Sequence, residues 1–128
     1  MQEKKVSVIN KTKSTLPGVP FGKIKDAALG KSYSLSVVFI GNKRSRRLNF
    51  DYRKKNKPTN ILSFPLDKES GEIFITLPVA EKEAKKFDRK LDNFIAFLFI
   101  HGLMHLKGMS HGSTMEKAEK KLREKFNV

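Results

Sequence analysis

The chain has 128 residues, no cysteine and no tryptophan, and its 27 Lys and Arg against 13 Asp and Glu give a formal net charge of +14. The length suits one domain around one core, the lack of cysteine excludes disulfide frameworks and thiolate metal sites, and the longest apolar run, Phe94 to Ile100, falls far short of a bilayer. A positive field of this size favours polyanionic partners such as nucleic acid, and the opening MQEKKVSVIN does not read as a secretory leader, so a cytoplasmic protein without membrane attachment is expected.

Val6 to Ile9 predicts a first strand, followed by a Pro/Gly-rich connection around Leu16 to Gly22. Ile24 to Leu29 reads as a short helix ended by Gly30. Ser34 to Ile40, apolar and β-branched, predicts a strand that breaks at Gly41-Asn42. Lys43 to Tyr52 has helical spacing at Leu48 and Tyr52 behind a basic first half, and Phe50 is expected in the core. A polar loop from Lys54 to Asn60 leads to a short strand, Ile61 to Phe64, stopped by Pro65.

Asp67 to Gly71 is a turn cluster before a strand from Glu72 to Thr76. Thr76 is placed to cap a helix running from Pro78 to Phe87. The next helix, from near Asp92 to about Lys107, is apolar nearly all round and is expected to be buried and central. Gly108 stands where a C-terminal stop belongs, and Ser113 to Glu116 is a capping-box signal for a last, charged helix to Phe126. No repeat, low-complexity tract or long linker interrupts the chain. The expectation is therefore one domain over residues 1–128, of the α+β class, with a single small mixed β-sheet packed with about five helices.

All three histidines lie in one stretch, HGLMHLKGMSH, residues 101–111. His101 and His105 are spaced i, i+4 and project from one face of a helix, about one turn apart. A third ligand ten residues on cannot join them if the helix continues. A left-handed residue at Gly108 would let the chain turn back and bring His111 alongside. The spacing is that of the long zinc motif H-E-x-x-H-x-x-G-x-x-H, which makes the central helix zincin-like, except that the Glu is Gly102. That Glu is the general base of the zinc peptidases, so a peptidase is excluded while a site for one zinc ion, or another divalent transition metal, is kept. Three neutral imidazoles leave an open coordination position and the ion's full charge, which suits a phosphodiester gathering negative charge.

HGLMHLKGMSH resembles the HGxLHLxGYDH signature of the YbeY family of bacterial metal-dependent endoribonucleases. LNFDYRKKNKPTNILSFPL, residues 48–66, is similar to that family's LNxxYRxKDxPTDVLSFP stretch, and GEIFITLPVAEKEA from Gly71 resembles its GDIVI segment and following helix. The resemblance implies a metal-dependent hydrolase that cleaves single-stranded RNA. It implies roles in ribosomal RNA maturation near the small-subunit RNA 3′ end and in ribosome quality control, with the ribosome or small-subunit proteins as partners. It places the metal ligands at His101, His105 and His111 and the family's functional arginine at Arg53, where a guanidinium suits phosphate oxygens. The chain departs from the pattern at Met109-Ser110 (Tyr-Asp in the family), Asn60 (Asp), Asn56 (Asp) and Glu72 (Asp), so three acidic groups near the presumed site are lost with Ser110, Asn60 and Asn56.

Lys43, Arg44, Arg46, Arg47, Lys54, Lys55 and Lys57 are candidate RNA contacts, which would hold phosphates without reading sequence. Tyr52 and Phe50 are candidate stacking residues. The charges of the last helix, Glu116, Glu119 and Glu124 among lysines, read as a solvated face, and Ser63 as a strand residue with a backbone role. A rival reading is a non-catalytic RNA-binding ribosome-assembly module with a structural metal; a further one is a hydrolase of small phosphoesters.

Overall fold

The computed structural model describes residues 6–128; the start of the segment read above as lacking a leader lies outside them. Four strands and five helices follow in the order β1 (Val6–Asn10), α1 (Phe21–Leu29), β2 (Ser34–Ile40), α2 (Asn42–Arg53), β3 (Ile61–Asp67), β4 (Ser70–Thr76), α3 (Leu77–Lys86), α4 (Leu91–Leu106) and α5 (Ser113–Phe126). The sheet order is β1-β2-β4-β3. β1, β2 and β4 run parallel, and β3 returns antiparallel beside β4. This is the expected α+β fold with a mixed sheet.

Side chains alternate across the strands. Val37, Phe39, Ile73 and Ile75 enter the main core, while Val38, Leu62 and Phe74 are the intervening or paired residues. α4 fills that core with Phe94, Ile95, Leu98, Phe99, Ile100, Leu103 and Met104 and touches β3, α1, α3 and α5. Phe and Ile lose up to about 0.7 kcal/mol each in helix propensity, whereas burying such a side chain stabilises by about 1.5–3 kcal/mol. Packing therefore decides that this aromatic-rich stretch is a helix. One consequence matters for function: a rigid, buried helix carries its last two turns, with two histidines, to the edge of the core.

The structure differs from expectation at four places. β3 runs through Pro65 rather than stopping before it, because β3 is an edge strand where a missing N–H is tolerated, and its register shifts between Pro65 and Asp67. Thr76 holds the N-cap position of α3 without a side-chain cap bond, and Gly112, not Ser113, is the N-cap of α5. Phe50 and Tyr52 are not core residues; they are 50% and 66% exposed. The inward face of α2 is polar instead: Ser45 and Asn49, one turn apart and buried, bind the loop that follows.

Candidate metal centre

α4 ends in a Schellman motif. Gly108 has φ 87°, its N–H donates to the His105 carbonyl at 3.0 Å, and the Met109 N–H donates to the Met104 carbonyl at 3.1 Å. The reversal turns exposed His111 back onto the half-buried pair His101 and His105. The Nε2 atoms of His101 and His105 stand 3.1 Å apart, and the His111 ring centroid is 5.3 Å from that of His101 and 5.0 Å from that of His105. One nitrogen from each ring falls within 4.8 Å of the others.

These residues fit a transition-metal ion. Two nitrogens each about 2.0–2.1 Å from a tetrahedral centre lie about 3.3 Å apart, close to the 3.1 Å separation here. His105 also lies in the last turn of α4, where the helix carbonyls favour a cation. Burial holds the His105 pKa below its ordinary value, and the neighbouring His101 and His111 lower it further, against the opposing pull of Glu119. A neutral imidazole is the form that ligates. The cluster could hold a metal ion.

The sequence reading missed Glu119. Far from a solvated face, it turns inward from α5, and its Oε1 lies 2.5 Å from His101 Nδ1. A carboxylate at that position keeps the proton on Nδ1, so that Nε2 presents its lone pair to the cluster. Its only signal was its place one turn after Met115, the buried residue that seats α5 on the core.

Gly102, in place of the peptidase Glu, has a packing reason. A Cβ there would stand 2.8 Å from Ile61 Cδ1 and 2.9 Å from Ser63 Oγ. α4 thus meets β3 at this point, and Ser63 Oγ donates to the Gly102 carbonyl at 3.3 Å, the backbone role read for it.

The histidines open onto a cavity of about 800 Å³. Arg53, the last residue of α2, lines it with them and adds to the field that lowers the His105 pKa. Tyr52 and Phe64, with ring centroids 4.7 Å apart, form an aromatic wall, and Phe97 lines the cavity with Arg89 and Arg123 over its ring at 4.7 and 5.4 Å.

Comparison with known proteins agrees with this geometry. A family model described as "Endoribonuclease YbeY" matches residues 2–127. The chain belongs to the YbeY family. Proteins named endoribonuclease YbeY from Ehrlichia canis, Ehrlichia chaffeensis and Aquifex aeolicus are 40%, 33% and 38% identical to it. The matches cover 73%, 95% and 79% of this chain and 68%, 86% and 71% of those proteins. The fold is also that of TM1509 from Thermotoga maritima, known from a solution structure, with a TM-score of 0.64 and 21% identity over 91% of this chain and 85% of that one.

Relative to the YbeY pattern, Asn60 replaces an acidic residue, and its Nδ2 donates to Glu83 Oε1 at 2.9 Å. Of the seven basic candidates, Lys55 and Lys57 lie beside Arg53 in an adjoining hollow. Lys54 takes the left-handed position that ends α2. Lys43, Arg44, Arg46 and Arg47 are exposed along α2 and line neither hollow. Along the helix Lys43 stands about 15 Å from Arg53 and Arg47 about 9 Å.

Glu119 gives the YbeY site a testable support. Glu119→Ala should weaken zinc binding about 10–100-fold, measured by competition with a chromophoric chelator. Glu119→Gln, which keeps an acceptor oxygen but not the charge, should fall between the two. Equal affinities for all three proteins would remove Glu119 from the metal centre.

Proposed function

We propose that this YbeY-family protein is a single-domain endoribonuclease that hydrolyses single-stranded RNA with one zinc ion at His101, His105 and His111 and with Arg53 as its catalytic arginine. The observation that carries this is the convergence of three imidazoles and one guanidinium on a single open cavity. When bound, an ion of this kind supplies Lewis-acid stabilisation of the charge that develops on a phosphoryl group. The chain's own residues do the rest. The three imidazoles hold the ion without neutralising it, and Glu119 fixes the His101 tautomer. Arg53 donates to the non-bridging phosphate oxygens. Tyr52 and Phe64 offer faces on which an unpaired base stacks, which favours a single strand over a duplex whose bases already stack on each other.

The further reading is action on ribosomal RNA in the cytoplasm, in maturation near the small-subunit RNA 3′ end and in ribosome quality control, with the ribosome or small-subunit proteins as partners. It is supported by the family resemblance and by the +14 charge. No helix among the described residues is long and apolar enough to cross a membrane.

Arg53→Ala should lower kcat on a labelled single-stranded oligoribonucleotide by about 10²–10³-fold, with the zinc content by elemental mass spectrometry unchanged. The rival, a non-catalytic RNA-binding module with a structural metal, draws on one observation: the cavity lining contains no carboxylate. Under it, the parent protein would bind RNA and carry zinc yet leave the RNA intact, and Arg53→Ala would change only affinity.

A further inference from the structure

A second, open hollow adjoins the metal cavity, and its walls are fixed by hydrogen bonds. It measures about 320 Å³ and lies between the end of α2, the loop after it and the first turns of α3. Two buried side chains fix the loop. Ser45 Oγ donates to the Thr59 carbonyl and accepts from the Thr59 N–H, both at 3.0 Å, and Asn49 Nδ2 donates to the Lys57 carbonyl at 2.8 Å. The loop therefore presents Lys55 and Lys57, both exposed, in a set position next to Arg53.

Inside this cationic rim the chemistry changes sign. Glu83 lines the pocket with one carboxylate oxygen already accepting from Asn60. A bare phosphate would be repelled by the carboxylate and would bring it no donor. A neutral group that donates hydrogen bonds, attached to a phosphate that stays at the rim, satisfies all of these demands. Arg53, Thr59 and Asn60 line this pocket and the metal cavity alike, so one extended strand passing over Arg53 places a residue in each.

We propose that this pocket is a ribonucleotide subsite. It seats the sugar of the nucleotide next to the one at the histidines, with the 2′-hydroxyl donating to the Glu83 carboxylate and the phosphate held by Lys55 and Lys57. The 2′-hydroxyl is the donor that DNA lacks, so the pocket is where this protein distinguishes RNA from DNA. The proposal rests on the reading of RNA as the substrate.

The test is equilibrium binding by fluorescence anisotropy to protein stripped of metal by a chelator, so that each oligomer is bound without being cut, with zinc uptake of every variant measured separately. The probes are a single-stranded oligoribonucleotide and a series of the same oligomer carrying one 2′-deoxy position at a time. The parent should lose about tenfold in affinity at one deoxy position. Val79→Trp fills the pocket without reaching the histidines; it should weaken binding of the all-ribo oligomer about tenfold and erase the position-specific penalty, with zinc uptake unchanged. Glu83→Ala should do the same and decides the matter if Val79→Trp does not fold. Parent-like affinity and a parent-like deoxy penalty in the folded variants, or no deoxy penalty in a parent that binds RNA, overturn the subsite and leave the metal-site reading standing. A parent that neither binds nor cleaves RNA overturns both.

Discussion

His105→Ala should remove metal and RNA cleavage together. His105 is the histidine nearest both others: its ring centroid lies 4.6 Å from that of His101 and 5.0 Å from that of His111, and its Nε2 faces that of His101 at 3.1 Å. Removing one of three ligands leaves two imidazoles separated by the Gly108 reversal, a set too small to hold an ion against water. Elemental mass spectrometry on the purified variant should find no zinc where the parent carries about one per chain. Cleavage of single-stranded RNA should fall to the level of a buffer control. The protein should still fold, because His105 is only half-buried and lies at the rim of the core. Metal-free His105→Ala that cleaves RNA at the parent's rate would place the chemistry elsewhere in the molecule; zinc retained at one per chain would refute the ligand assignment itself.

Gly102→Glu should produce a strongly destabilised protein, not a peptidase. The substitution restores the His-Glu-x-x-His pattern on paper. In the fold, a first side-chain carbon at that position already meets Ile61 and Ser63 at under 3.0 Å, with Ile73 Cδ1 at 3.2 Å. A whole carboxylate driven into the α4–β3 contact adds an unpaired buried charge to that overlap. Together these should destabilise by about 4 kcal/mol or more, a large share of the roughly 5–15 kcal/mol that holds a domain folded. Gly102→Ala is the graded companion. It adds one methyl group to the same contact and should cost about 1–3 kcal/mol, partly offset by about 1 kcal/mol from better helix propensity. Urea melts of the parent and the two variants would measure the series; a Gly102→Glu protein as stable as the parent would show that the α4–β3 contact is looser than the distances indicate.

The two glycines of the histidine segment also show what a sequence can disclose. Gly108 was legible: a third histidine beyond the helix needs a chain reversal, and a glycine at the right place predicts one, which the φ of 87° bears out. Gly102 was legible only as the absence of a base. Its actual duty, letting a helix lie against a strand, depends on residues 39 and more positions away, which no local pattern contains. Glu119 was hidden for the same reason. It sits in a helix of alternating charges, and its place one turn after Met115 is a signal only once Met115 is known to be buried. The element types came through well because hydrophobic period and breakers are local signals. The errors lay where tertiary position overrides them: Pro65 is tolerated because β3 is at the sheet edge, and Phe50 and Tyr52 face outward because α2 spends its inner face on the polar pair Ser45 and Asn49. Of the basic candidates around Arg53, Lys55 and Lys57 beyond it line the hollow next to it, while those before it lie along the exposed face of α2.

Glu119 reaches His101 from α5, while His111 belongs to the turn just before that helix. The three histidines and Glu119 are therefore gathered around the joint between α4 and α5. An ion that binds only when this joint is closed must, by mass action, favour the closed form by RT ln(1 + [ion]/Kd). The final helix, seated on the core by buried Met115 and half-buried Ala118, Leu122 and Phe126, is the element that closure holds in place. Its order and the supply of metal are two readings of one equilibrium: a cell short of the ion would hold a protein whose tail opens more often, offering that tail first to proteases.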